Sequence, residues 1–301
     1  MVRVVGSLTT IPGRYNKLRR TLKSLEAQEY RLDAIYLGIP QRSSRLNTEY
    51  IALPADISSM CTIVKCDYDY GPCTKIVGGL QMETDLETII ITFEDDVVYA
   101  ANLVSILVAR HYEFSQCAIG SSGFLLKYSF PFYSTVNNCS NNWNSITGFN
   151  VPEHGRPVDI LCGFSAVLYI RKFFPCVDKL HENFLHLPLL DNDVYFNDDI
   201  LISAYLSAHN IERRIFPHVP LANDGKVFDL EIDGSNDNNI SFDKLQFLQR
   251  FRRALVKVIE WGFFVHTEPV AIDETIGGHI LIAIVLIILL LLAIILFVVY
   301  V

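Results

Sequence analysis

Residues Ile89 to Ala100 read IIITFEDDVVYA, an apolar run that passes without a break into three consecutive acids, Glu94, Asp95 and Asp96. A buried strand has no place for three negative charges, since a charge taken out of water must be paired. The acids must therefore sit where the strand leaves its sheet, with something positive facing them. On an extended exit, side chains alternate, which puts Glu94 and Asp96 on one side and Asp95 on the other. Two carboxylates on one side suit a hard divalent cation, Mn²⁺ or Mg²⁺, held directly or through water with room left for phosphate oxygens. The competing reading is an acidic turn without metal.

The segments before this strand set its context. VRVVGSL reads as a strand, Leu18, Leu22 and Leu25 repeat at helical spacing, DAIYLGIP and CTIVKC read as strands, and TKIVGGLQM admits a helix. Strand and helix in alternation predict an α/β fold, a mostly parallel sheet with helices on both faces. Ligands of such sheets gather at the carboxyl ends of the strands, where strand order reverses. The loops TTIPGR, DYDYGPCTK and EDDVVY all follow strands, so they are expected to meet at one mouth. After the helical pattern ANLVSILVARHYEF, the stretch from Ser121 to Asp159 is rich in Asn, Ser, Gly, Tyr and Phe and is expected to form loops or short antiparallel strands over the site. Regular structure resumes at DILCGFSAVLYIRKFF and NDDILISAYLSAHN.

Two further motifs carry chemistry. In DYDYGPCTKIVGG, Gly71 and Pro72 force a turn, and Thr74 and Lys75 stand where a helix begins, so that free N–H groups, a hydroxyl and an ammonium can meet a negative group. Asp67 and Asp69, just ahead, are placed to accept from a base or a ribose. A helix cap alone would explain the same residues. In FNDDILIS, Asn197 to Asp199 lead into a helix, where acids favour the macrodipole. Two adjacent acids exceed what a cap needs, and one is a candidate general base for an attacking hydroxyl. His218, in RIFPHVPL, either closes a metal shell or is an unliganded loop histidine.

The net charge of −8 and pI near 5.5 argue against a nucleic-acid partner, and 301 residues of which half are apolar suffice for a sizeable core. Ile280 to Val301 contains no charged residue. About 20 apolar residues span a bilayer core as a helix, so this run is expected to be a membrane anchor. MVRVVGSLTTIP is too short and polar for a signal-peptide apolar region, and an anchor at the last residue is expected to leave the body on the cytosolic side. The seven cysteines form no Cys-x-x-Cys pair, which fits free thiols in a reducing compartment. Sequons at Asn138 and Asn239 would matter only in a lumen. Residues 241–262 read as an amphipathic helix: Leu245, Leu248, Leu255 and Val258 face a core, and Arg250, Arg252, Arg253 and Lys257 are either solvated or in touch with anionic lipid. The expected organisation is a catalytic domain over 1–240, this helix, a linker over 263–279 and the anchor over 280–301.

Taken in order, SLTTIPGR, DYGPCTK, IIITFEDDVVY, ILCGFSAVLYIRKFF and NDDILISAYL resemble nucleotide-sugar glycosyltransferases of the GT-A fold, family-2-like and of the D-x-D type, found in microbes, algae and large DNA viruses. The resemblance covers about Val2 to Pro217. It implies that EDD is the D-x-D element, with Asp96 as metal ligand and Asp95 near the ribose or sugar. It places Thr9, Thr10 and Arg14 near the nucleotide and Lys75 near the diphosphate or donor sugar. In the inverting branch an acidic pair opening a late helix supplies the base, which corresponds to Asp198 and Asp199, with Asp199 foremost. The turn Cys162 to Phe164, with Gly163 and Phe164, would face the acceptor. One departure is that the first acid is Glu94 rather than Asp. The implied activity is metal-dependent transfer of a sugar from a nucleotide-sugar to a hydroxyl on a glycan, glycoprotein or glycolipid, with inversion. The alternatives are an inactive, membrane-tethered carbohydrate-binding or scaffold protein, and a sugar nucleotidyltransferase. Against the latter, TTIPGRYNK holds one glycine where such enzymes commonly carry a Gly-rich basic loop.

Overall fold

Val4 to Thr9 form the first strand, β1, buried until its last residue. The computed structural model describes residues 2–50, 52–126, 143–147, 151–217 and 244–263. After β1 comes helix α1 (Tyr15–Glu26), whose Leu18, Leu22 and Leu25 are buried as their spacing predicts, then β2 (Ala34–Pro40). A hairpin, β3 (Arg42–Ser43) and β4 (Thr48–Glu49), and a short helix, α2 (Ala55–Met60), lead to β5 (Thr62–Cys66). Helix α3 (Thr74–Met82) returns to β6 (Ile89–Thr92), and α4 (Leu103–Glu113) leads to β7 (Cys117–Gly120). Then follow β8 (Ser122–Leu126), β9 (Trp143–Thr147), β10 (Arg156–Pro157), β11 (Ile160–Leu161) and β12 (Val167–Ile170). The short helices α5 (Val177–Leu180) and α6 (Asn192–Tyr195), then α7 (Asp198–Ala208), β13 (Glu212–Ile215) and α8 (Lys244–Glu260) complete the described chain.

Eight strands form one sheet in the order β10-β13-β7-β12-β6-β1-β2-β5. Strands β5, β2, β1 and β6 run parallel, as do β13 and β7, while β12 is antiparallel to both β6 and β7 and β10 is antiparallel to β13. Within the Ser121 to Asp159 stretch, β8 and β9 pair antiparallel, and β11 joins them in a smaller sheet. From β1 the chain adds β2 and β5 on one side, then crosses through α3 to place β6 on the other. Strand order thus reverses between β1 and β6, and the crevice outside their carboxyl ends is where such folds bind ligands.

The alternation of side chains along β1 and β6 divides the core in two. Val4, Leu8, Ile89 and Ile91 pack with Leu18, Leu22, Leu25, Leu103 and Leu107 from α1 and α4. Val5 and Ile90 face the other way, onto Ile76, Val77 and Leu80 of α3, with Ile200, Leu201 and Ala204 of α7 in the same cluster. Phe251, Ala254, Leu255 and Val258 of α8 extend that second cluster, so the amphipathic helix packs on the domain. Its Arg253 pairs with Asp193 of α6, 3.0 Å from Nη2 to Oδ1, which occupies one of the basic groups considered for lipid contact. Among the described residues no helix is long and apolar enough to cross a membrane; the 280–301 run, the linker after residue 263, both sequons, His218 and Cys139 lie outside them. The described cysteines, Cys61, Cys66, Cys73, Cys117, Cys162 and Cys176, are free thiols.

Candidate active site

The site is built from the depth at which α3 sits. A Cβ on Gly38 of β2 would lie 2.9 Å from the Thr74 carbonyl, and one on Gly79 would lie 2.9 Å from Ile90 and 3.1 Å from Ser7, so only glycines allow the helix this close to the strands. Ser7, buried within β1, locks the approach: its hydroxyl donates to the Lys75 carbonyl (2.5 Å) and accepts from the Gly79 N–H (2.9 Å). Lys75 is thereby carried under the sheet edge, its side chain only 2% exposed. Its ammonium pairs with Glu94 from the end of β6 and with Asp198 Oδ2 at 2.8 Å from the start of α7. Asp199 Oδ1 accepts from the Gly163 N–H at 2.8 Å. A Cβ on Gly163 would fall 2.9 Å from Asp199 Oδ1, 3.1 Å from Lys75 Nζ and 3.4 Å from Glu94 Oε1, so these groups close on one point from four segments of the chain.

Beside this inner cluster lies an outer one. Buried Asp95 accepts from the Thr10 hydroxyl at 2.6 Å and from Arg14 Nη1 at 3.0 Å. The same Arg14 nitrogen is 3.5 Å from Asp96 Oδ2. The three loops expected at one mouth do meet there. The disposition of the acids differs from the alternating one: Asp95 and Asp96 share Arg14, while Glu94 turns inward to Lys75. The backbone bends at Asp95 and Asp96 instead of staying extended, so the period-two rule does not reach them. Tyr99 holds this bend, its hydroxyl accepting from the Glu94 N–H at 2.8 Å and donating to the Phe164 carbonyl at 3.5 Å.

Three other candidates, Lys75, Asp69 and Thr9, have protein partners of their own. Lys75, expected near the diphosphate or the donor sugar, faces the carboxylates of Glu94 and Asp198. Asp69 accepts from the N–H groups of Gly71 (2.9 Å) and Ser44 (2.6 Å) and from the Tyr195 hydroxyl (2.9 Å), so it organises its own loop rather than presenting a free carboxylate to a base or ribose. The Thr9 hydroxyl donates to the Gly38 carbonyl at 2.8 Å, within the sheet. Gly163 and Phe164 stand beside the acids, Gly163 against Asp199 and the Phe164 carbonyl against Tyr99.

Electrostatics follows from crowding. Burial, and then the charge of Asp198, push the Asp199 carboxyl well above the usual carboxylate range, with Lys75 opposing. Burial also raises Glu94, against Lys75. Burial and then Asp95 raise Asp96, against Arg14. For Lys75 burial pulls the other way, yet Asp198, Glu94 and Asp199 outweigh it and hold the ammonium well above its ordinary value. The Glu94, Asp198 and Asp199 carboxylates therefore crowd one lysine ammonium, and burial beside Asp198 favours the protonated form of Asp199.

Among the described residues no group of three or more His, Cys, Asp or Glu gathers closely enough to hold a metal ion unaided. Asp96, its side chain 32% exposed at the outer edge, fits the alternative in which one carboxylate shares Mg²⁺ or Mn²⁺ with substrate phosphates and water. Sequence reading passed over Ser7, Tyr99, Tyr50, whose hydroxyl donates to the Thr10 carbonyl at 2.8 Å, and Arg45. Only Ser7 left a trace there, as a polar residue inside an apolar strand. No known family model matches the chain, and a search among curated proteins finds no relative.

Proposed function

We propose that the chain is a metal-dependent glycosyltransferase that moves a sugar from a nucleotide-sugar donor to an acceptor hydroxyl with inversion. The observation that carries this reading is the meeting of the strand-end acids with the acidic start of α7, through Lys75, at the point of strand-order reversal. It supports a GT-A kind of arrangement, with a donor side at β1 and β6 and a proton acceptor at α7.

In this reading Asp199 takes the proton of the acceptor hydroxyl as its oxygen forms the new bond to the anomeric carbon. The bond from that carbon to the diphosphate breaks on the opposite face, and the configuration inverts. A carboxyl held above its usual range retains its proton more readily than an ordinary carboxylate, which suits a general base. The Gly163 N–H fixes one of its oxygens, and Asp198 fixes Lys75 beside it. Arg14, Thr10 and Asp95 form the nucleotide side. Mg²⁺ or Mn²⁺, held by Asp96 with phosphate oxygens, would neutralise charge on the leaving diphosphate. The apolar run 280–301 would anchor the body at the cytosolic face of a membrane, near glycolipid or glycoprotein acceptors.

The test is calorimetric titration of the full chain in detergent micelles with a panel of nucleotide-sugars, in Mn²⁺ and in EDTA, while released nucleotide is followed. The expected result is metal-dependent binding of one donor with slow hydrolysis. Absence of binding to every donor in both conditions would refute the proposal, and binding without turnover would favour the tethered carbohydrate-binding reading.

A further inference from the structure

If a nucleotide-sugar binds here, its diphosphate needs cationic partners, and both Lys75, expected near the diphosphate or donor sugar, and Arg14, expected near the nucleotide, are already engaged. Lys75 is held by Glu94 and Asp198, and Arg14 by Asp95 and Asp96. The hairpin of β3 and β4 supplies another. Ser44 N–H donates to Asp69, ahead of α3, and Tyr50, just past β4, donates its hydroxyl to the Thr10 carbonyl after β1, so the hairpin is pinned to both loops of the mouth. Between those pins stands Arg45, half-buried, with its Cζ 5.6 Å from the centre of the Phe196 ring. Arg250 of α8 lies over the same ring at 4.6 Å. Phe196 immediately precedes Asn197, Asp198 and Asp199, so this stack borders the inner cluster.

Among the described residues Arg45 has no hydrogen-bond or ion-pair partner. Burial, and then the charge of nearby Arg14, hold its guanidinium below its ordinary value, with Asp95 opposing. A half-buried guanidinium without a protein partner loses part of its hydration, and an anion at its N–H groups would restore what burial takes away. Its planar fork fits two phosphate oxygens at once, and the Phe196 ring beneath it holds the cation near the mouth.

We propose that Arg45, over the Phe196 ring that it shares with Arg250, is the phosphate-binding side chain of this site and takes the diphosphate of the donor. The proposal rests on the transferase reading for the identity of the ligand but on the hairpin geometry for the site itself. The Arg14 and Asp95 pair next to it puts the subsite on the nucleotide side of the mouth.

Binding of UDP, GDP and inorganic pyrophosphate to the full chain in micelles, at fixed Mg²⁺, separates the two claims. Arg45→Met is expected to weaken the diphosphates that wild type binds by about ten- to hundredfold, the effect of losing a charged hydrogen-bonding partner. Arg45→Lys, which keeps the charge without the fork, is expected to fall between the two and shows that the hairpin still folds. Pyrophosphate binding that depends on Arg45, without binding of either nucleotide, would support the subsite and count against the transferase reading. Arg45→Met affinities within about twofold of wild type, or wild type that binds none of the three, would overturn the subsite.

Discussion

Replacing Lys75 by methionine tests the charge arrangement on which the site depends. Methionine keeps most of the volume and the apolar stem but removes the ammonium that faces Glu94, Asp198 and Asp199. Breaking a buried ion pair by removing one partner costs about 3–5 kcal/mol, because the other charge is left unmatched. Folded domains are stable by only about 5–15 kcal/mol, so the change would consume a large part of the total. The penalty must depend on pH. Glu94 and Asp199 already have raised carboxyls in the folded state, and without Lys75 they rise further, so the folded variant binds more protons than the unfolded chain over a wider range. Stability then falls as pH rises from the unfolded carboxylate pKa through the folded one, and the deficit relative to wild type grows in that direction. Urea unfolding of the full chain in micelles, followed by tryptophan fluorescence, is expected to show a loss of about 3–5 kcal/mol near pH 7.5 that shrinks toward pH 5. A loss below about 1 kcal/mol, or one that is the same at both pH values, would refute the shared-ammonium account.

Asp199→Asn is expected to keep donor binding while transfer falls by about 10²–10⁴-fold. The wild-type rate is expected to rise with pH through the elevated Asp199 pKa, and that limb should disappear in the variant, as a rate-pH series would show. Gly163→Ala would put a methyl within 2.9 Å of Asp199 Oδ1 and 3.1 Å of Lys75 Nζ, so it should lower transfer and cost about 1–3 kcal/mol in urea titration. Tyr99→Phe leaves the Glu94 N–H without its acceptor, a loss of about 1–3 kcal/mol by the same assay.

The sheet was legible because its strands are short apolar runs bounded by turn residues and separated by helical spacing, and β1, β2, β5 and β6 fall where VRVVGSL, DAIYLGIP, CTIVKC and IIITF stand. The convergence of three loops followed from the parallel topology. The partners of individual side chains did not. Glu94 was assigned by alternation, which holds only while the backbone is extended, and a bend at Asp95 and Asp96 removed that condition. Lys75 has a helix-start position that suits an anion, but nothing local says that the anions are carboxylates of distant segments. Arg45 sits in QRSSRLNTEY, a polar stretch without periodicity, and acquires meaning only when the hairpin is pinned at Asp69 and Thr10.

The dispersion of the inner cluster along the chain also sets an order of assembly. During synthesis Arg14 and Asp95 are present once β6 has emerged, so the donor side can close early. Asp198 and Asp199 come about 100 residues later, roughly 5–20 s behind at the usual pace of elongation. In that interval Lys75 has Glu94 alone, and the growing chain owns the side that would hold a nucleotide before it owns the group that would take the proton.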